Sequence, residues 1–267
     1  GDGGDGARPV SANIHPTAII DTSAELDASV VVGPGAIVGP RCVVGPDCVI
    51  AAHAVLEHNV RLGTGVKVGI GSVLGGDPQD LKWKGEDSWL EIGDRTVIRE
   101  YLTINRATSY SWTTRVGKDC FLMAYVHVPH DCQIGDGVIV ANGTHFAGHV
   151  IIEDRVTISG LCGAHQFVKI GRQSFIGGCS RVAKDVPPYV KAVGNPVKLY
   201  GLNTIGLQRS GMPEATLSEL KRAYRLCFNS KLNLSQGVKT ARAEIEQLPE
   251  VQHFLTFIEN SVRGVVV

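Results

Sequence analysis

Five of the nine histidines of this 267-residue chain fall between positions 127 and 165: His127, His130, His145, His149 and His165. Asp131 follows His130 directly, and Gly148 and Gln166 lie among the others. Histidine is the side chain whose ordinary pKa suits proton abstraction near neutral pH. A neighbouring carboxylate can fix its tautomer and stabilise the imidazolium that forms. A glycine, with no side chain over its N–H, can offer that N–H to a developing oxyanion. These residue types describe a general-base site, with a free N–H at Gly148 available to an oxyanion. No Ser or Cys falls in the columns that these residues form when stacked, which favours direct transfer over a covalent enzyme intermediate. The chemistry requires elements that bring residues scattered over three segments into one patch.

The elements are written in a period of six. Every sixth residue from Ile14 to Leu74 is aliphatic, the series returns at Ile92, Ile98 and Ile104, and it runs on from Val116 to Val182 with Phe146 and Ala164 as its non-standard members. Small or β-branched residues follow four positions later, from Ala18 and Ala24 to Val66 and Ser72. Period six fits neither an amphipathic helix nor an alternating strand. It is the hexapeptide signature of a parallel β-helix. Three hexads close one coil, so residues 18 apart in sequence stack about 4.8 Å apart. That arithmetic puts His127 over His145. It aligns His130, Gly148 and Gln166 in one outward-facing column, and Asp131, His149 and Phe167 in the next.

A zinc site is the rival chemistry. Three histidines on a β-helix can hold zinc between subunits, as in gamma-class carbonic anhydrases, and His127, His130 and His149 are the candidates. Zinc needs its ligands to converge at about 2.0–2.1 Å, and Gly148 and Gln166 have no part in such a site. Of the seven cysteines, Cys42, Cys48, Cys120, Cys132 and Cys162 occupy the small interior position. They read as buried hydrophobes. Without a CxxC pair, no metal, redox motif or other cofactor is expected, and buried free thiols suit a reducing compartment.

Net charge is zero, which argues against a nucleic-acid partner, and no apolar run is long enough to span a membrane. Residues 1–13 precede the repeat and are expected to be a flexible segment, either a vector-derived remnant or the stub of a removed targeting sequence. The repeat domain is expected over 14–187. Loops at 75–89 and 106–115 interrupt it, the first carrying Gln79, Asp80, Lys82 and Trp83. Such loops on a rigid scaffold carry function. After Pro187-Pro188 a helical C-terminal domain is expected over 188–267. Thr216-Leu-Ser-Glu219 reads as a capping box and Pro249 as the start of a last helix. This tail holds 10 Lys and Arg against 6 Asp and Glu, which suits a phosphate-bearing or acidic partner.

The motifs Ile14-His-Pro-Thr17, Pro78-Gln-Asp-Leu-Lys82, His127-Val-Pro-His-Asp-Cys132, Leu161-Cys-Gly-Ala-His-Gln-Phe167, Gly177-Gly-Cys-Ser180 and Gly194-Asn-Pro196 resemble the UDP-N-acetylglucosamine O-acyltransferases of lipid A biosynthesis. The resemblance covers the chain from Ile14 onward. It implies a homotrimer of left-handed parallel β-helices with an α-helical C-terminal domain. It also implies transfer of an (R)-3-hydroxyacyl group from acyl carrier protein to the 3-hydroxyl of UDP-N-acetylglucosamine. By that resemblance His130 is the general base, Asp131 orients it and Gly148 is the oxyanion donor. Gln79, Asp80, Lys82, His127, His149, His165 and Gln166 contact sugar nucleotide or acyl chain, and Asn203 and Arg209 reach the uridine diphosphate. Gly178 limits the acyl chain, and a glycine there leaves room for a donor of about 14 carbons, each extra buried methylene being worth about 0.8 kcal/mol. Ser210 stands where the family often has a second Arg, and Asn105 where His is common.

Competing readings are the related UDP-sugar N-acyltransferase, which has a domain before its repeat, and a CoA-dependent hexapeptide acetyltransferase, which lacks the helical tail and the Gln-Asp-Leu-Lys loop. The expected location is bacterial cytoplasm, or the mitochondrial matrix for a eukaryotic homologue with a removed transit peptide.

Overall fold

The structure is a computed structural model that describes residues 13–267. The segment expected to be flexible, 1–13, lies outside the described residues except for Asn13, which is already paired with Val31. The fold is the expected left-handed parallel β-helix followed by helices. The described residues divide into two compact units, one ending at Cys132 and one beginning at Gln133, a division that falls inside the stretch expected as one repeat domain.

In the first unit, strands of two to four residues alternate among three parallel sheets. Val31 pairs with Asn13 and with Val49, at intervals of 18. The interior series Val32, Val38, Val44, Ile50, Leu56, Leu62, Val68 and Leu74 is at most 2% exposed. Each such side chain is worth roughly 1.5–3 kcal/mol when fully buried. Ile14 is exposed and Ile20 and Leu26 half-buried, because no earlier coil lies over them among the described residues. Corners turn through left-handed residues, with φ 58° at Arg41 and 59° at Asp47.

The two loops are shorter than expected. Val60 pairs with Leu90, an interval of 30, and Ile92 with Val116, an interval of 24. The insertions therefore add 12 and 6 residues to an 18-residue coil, whole hexads that return the chain in register. Val73–Gly76 and Trp89–Ile92 are strands, so the first loop is 77–88, and Thr113–Val116 confines the second to 106–112. Ladder hydrogen bonds to neighbouring coils hold the flanks extended.

The second unit repeats the pattern from Gln133–Ile134 to Arg181–Val182. Val190–Gly194 then pairs parallel with Phe175–Ile176 and antiparallel with Val197–Leu202, so residues 190–202 are a hairpin where helix was expected. Four helices follow: α1 (Thr204–Arg209), α2 (Glu214–Phe228), α3 (Leu234–Glu244) and α4 (Pro249–Glu259). The expected capping box at Thr216 is wrong, because α2 starts two residues earlier, after Pro213, and Thr216 lies inside it. The capping box of this unit is Asn233 with Gln236, at the start of α3. Asp185 accepts from Val266 N–H at 2.8 Å and from the Ser261 hydroxyl at 2.7 Å, which ties the C-terminal segment to the last coil.

Candidate active site

In the first unit, His127 opens the strand His127–Val128, and His130-Asp131 makes the following corner. Asp131 takes the left-handed φ of 62°, a conformation Asp tolerates better than most residues. Its own N–H donates to Thr114 Oγ1 at 2.9 Å. His130 Nδ1 lies 2.8 Å from Asp131 Oδ2. The pair is not the exposed column that the repeat arithmetic suggested: His130 is 8% exposed and Asp131 3%. The 106–112 loop covers the carboxylate. The hydroxyls of Thr108 and Ser111 donate to it at 2.7 and 2.6 Å, and the Ser111 N–H does so at 3.1 Å. Burial pushes the Asp131 carboxyl up, but the hydrogen bonds from His130, Ser111 and Thr108 outweigh it and hold the group well below the ordinary carboxylate range. The hydrogen bonds around the carboxylate suit it to orienting His130.

His127 Nδ1 lies 2.7 Å from Thr103 Oγ1. On the 77–88 loop, Asp80 Oδ1 accepts from Lys82 N–H at 2.9 Å and Asp80 O from Trp83 N–H at 3.0 Å, a turn that exposes Gln79, Leu81 and Lys82. Arg106 is buried at the root of this loop. It bonds Asp77 and the Gly75 carbonyl, and its guanidinium lies 5.7 Å from the Trp83 ring centroid.

In the second unit, Gly148 and His149 form a corner, and His149 stacks on Phe167 with centroids 4.3 Å apart. The Gly148 N–H donates to nothing among the described residues. His145, His165 and Gln166 are exposed. The Gln166 carbonyl lies 3.2 Å from His165 Nδ1 and accepts from Arg263 at 2.8 Å. Asn203 is the N-cap of α1, its Oδ1 accepting from Gly206 N–H at 3.3 Å while Nδ2 donates to Gln173 O at 3.0 Å. Arg209 is exposed in the last turn of α1. Ser210 accepts from Gln173 Nε2 at 2.9 Å and donates to Leu207 O at 2.7 Å. At Gly178 an added Cβ would meet Gly160 O at 3.5 Å and Ser159 Cβ at 3.8 Å, ordinary contacts. The left-handed residue of that corner is Cys179, with φ 56°. Backbone conformation therefore does not demand a glycine at 178.

Residues 185–266 match the family model described as UDP N-acetylglucosamine O-acyltransferase, domain 2, and residues 113–148 match the bacterial transferase hexapeptide repeat. Over 192 residues the chain is 47% identical to the acyl-[acyl-carrier-protein]–UDP-N-acetylglucosamine O-acyltransferase of Anaeromyxobacter dehalogenans, covering 72% of this chain and 75% of that protein. The enzyme of the same name from Synechocystis is 48% identical over 190 residues, covering 71% of this chain and 68% of its own length. The chain belongs to the UDP-N-acetylglucosamine O-acyltransferase family. The solved structure from Acinetobacter baumannii superposes with a TM-score of 0.92 at 40% identity, covering 96% of this chain and all of that one. The UDP-N-acetylglucosamine acyltransferase of Arabidopsis superposes with a TM-score of 0.86 at 32% identity, covering 95% of this chain and 100% of its own.

Sequence reasoning missed three residues that the site uses. Thr108 and Ser111 bond Asp131 from 23 and 20 residues away, in a loop with no period to mark them. Arg106 follows the unusual Asn105, and a long charged side chain at a loop root is a signal worth reading. Among the described residues, no helix is long and apolar enough to cross a membrane.

Proposed function

We propose that the chain transfers an (R)-3-hydroxyacyl group from acyl carrier protein to the 3-hydroxyl of UDP-N-acetylglucosamine, the first step of lipid A biosynthesis, with His130 as general base. The observation that carries the reading is the buried His130–Asp131 pair. In the reaction, His130 Nε2 takes the proton of the sugar 3-hydroxyl as its oxygen attacks the thioester carbonyl. The carbonyl oxygen becomes an oxyanion, for which the Gly148 N–H is the donor. Collapse expels the carrier-protein thiolate, and the imidazolium returns the proton to that sulfur. Asp131 stays ionised throughout and stabilises the imidazolium.

The other assignments belong to the same proposal. Gln79, Asp80, Lys82, His127, His149, His165 and Gln166 serve sugar nucleotide or acyl chain, and Asn203 and Arg209 serve the diphosphate. Arg209 suits that role because a guanidinium fork matches phosphate. The assembly is a homotrimer, consistent with Val31 and Val49 facing outward along one sheet, each over a third exposed. The compartment is reducing, as five interior cysteines buried as free thiols would require. The deciding experiment incubates the protein with 3-hydroxyacyl carrier protein and UDP-N-acetylglucosamine and identifies the product by mass spectrometry. The 3-O-hydroxyacyl nucleotide is expected. Transfer from acetyl-CoA but not from the carrier protein would overturn the reading.

A further inference from the structure

We infer that Thr108 and Ser111 are positioning residues for His130, clamping both oxygens of Asp131 so that Oδ2 faces Nδ1 and leaves Nε2 as the basic nitrogen. The inference rests on the proposed role of His130. Asp131 Oδ1 accepts from the Ser111 hydroxyl at 2.6 Å, the Ser111 N–H at 3.1 Å and the Thr108 N–H at 3.2 Å. Oδ2 accepts from the Thr108 hydroxyl at 2.7 Å and the Thr108 N–H at 3.3 Å, beside His130 Nδ1 at 2.8 Å. Thr108 Oγ1 is itself oriented, because it accepts from Tyr110 N–H at 3.2 Å and so points its proton at the carboxylate. Ser111 Oγ has Thr113 O as a second acceptor, but at 3.2 Å against 2.6 Å the carboxylate takes the proton.

The clamp has a physical purpose. The outer torsion of an aspartate is broad and two-fold, so a carboxylate held through one oxygen can pivot away from the imidazole. Donors on both oxygens remove that freedom. The Thr108 and Ser111 hydroxyls are neutral donors, so they hold Asp131 as an acceptor without themselves adding a charge. A carboxylate that only accepts forces the proton of neutral His130 onto Nδ1. The loop at 106–112, which lengthens its coil by six residues, thereby acquires a task. It is a lid on the orienting acid and not a surface ornament.

The test uses Thr108→Val with Ser111→Ala, which removes both hydroxyls and keeps the backbone donors. Ser111→Ala alone serves if the double variant fails to fold, and Thr108→Ser is the conservative control. With ring-15N-histidine protein, and His130 assigned by its loss in His130→Gln, the wild type should show a single Nδ1–H tautomer. The double variant should show a mixture. Its kcat should fall about tenfold, the size expected for lost hydrogen bonds to a charged group, with little change in KM, and Thr108→Ser should behave as wild type. An unchanged His130 nitrogen pattern in the hydroxyl-less variants overturns the inference, as does a rise in KM at constant kcat. If the wild type transfers no acyl group, the proposed reaction fails, while the nitrogen spectra still decide on the clamp.

Discussion

Replacing His130 by alanine removes the imidazole but leaves Asp131 held by Thr108 and Ser111, so the corner should keep its shape. Turnover in the acyl-transfer assay should fall by about 10² to 10⁴, the usual worth of a positioned base, with thermal melting close to wild type. Near-wild-type activity would remove His130 from the mechanism. Asp131 makes a second prediction through its depressed pKa. A carboxyl that is more acidic folded than unfolded contributes stability above its unfolded pKa, about 4. That contribution is lost as pH falls toward the folded value. Asp131→Asn should therefore be less stable than wild type near neutrality, by about 1–3 kcal/mol for a disrupted buried charge network. The gap should narrow when denaturant melts are repeated below pH 4. A gap that is constant across this range would show that Asp131 owes nothing to its charge.

At the scale of elements, the corner at Gly177–Gly178 shows how a glycine can be kept for a reason other than backbone strain. Gly177 is packed, since an added Cβ would sit 2.6 Å from a Val193 methyl, whereas Gly178 has room and needs no left-handed φ. Gly178→Met should fold, and if an acyl chain runs past it, donor preference should move to shorter chains with the base chemistry intact. Competition between donors of different length measures this, and an unchanged preference in a folded variant places the chain elsewhere. The hexads were legible in the sequence because a narrow interior demands one size of side chain at one period, and Val32 through Leu74 obey it. The His130–Asp131 pair was legible because its members are adjacent. Its burial was not, because the covering donors come from a loop whose hydrogen bonds follow no repeat. The Thr216 box misled because Ser/Thr-x-x-Glu also occurs inside helices, where nothing local marks the true start at Glu214. Helix α3 was missed because Gly237 interrupts a weakly apolar face, yet that glycine lets α3 approach α2 so closely that a Cβ would lie 2.4 Å from Leu226 O.

At the scale of the whole molecule, the question is what the 77–88 loop reaches. Its tip holds Leu81 fully exposed between Asp80 and Lys82, with Arg106 anchoring the root. An aliphatic side chain left in water forgoes roughly 1.5–3 kcal/mol of burial, and packing against a second subunit would recover it. In the proposed homotrimer, Lys82 would then serve the His130 of a neighbouring chain. Mixing inactive His130→Ala chains with inactive Lys82→Ala chains tests this. In randomly mixed trimers roughly one quarter of the shared sites would draw both intact residues from different chains, so activity should return to about that fraction of wild type. The mixture must be unfolded and refolded together, and mixed trimers verified by tagging one variant and isolating them through the tag. If Lys82 and His130 serve one site within a single chain, every site in every trimer lacks one of them and no activity returns.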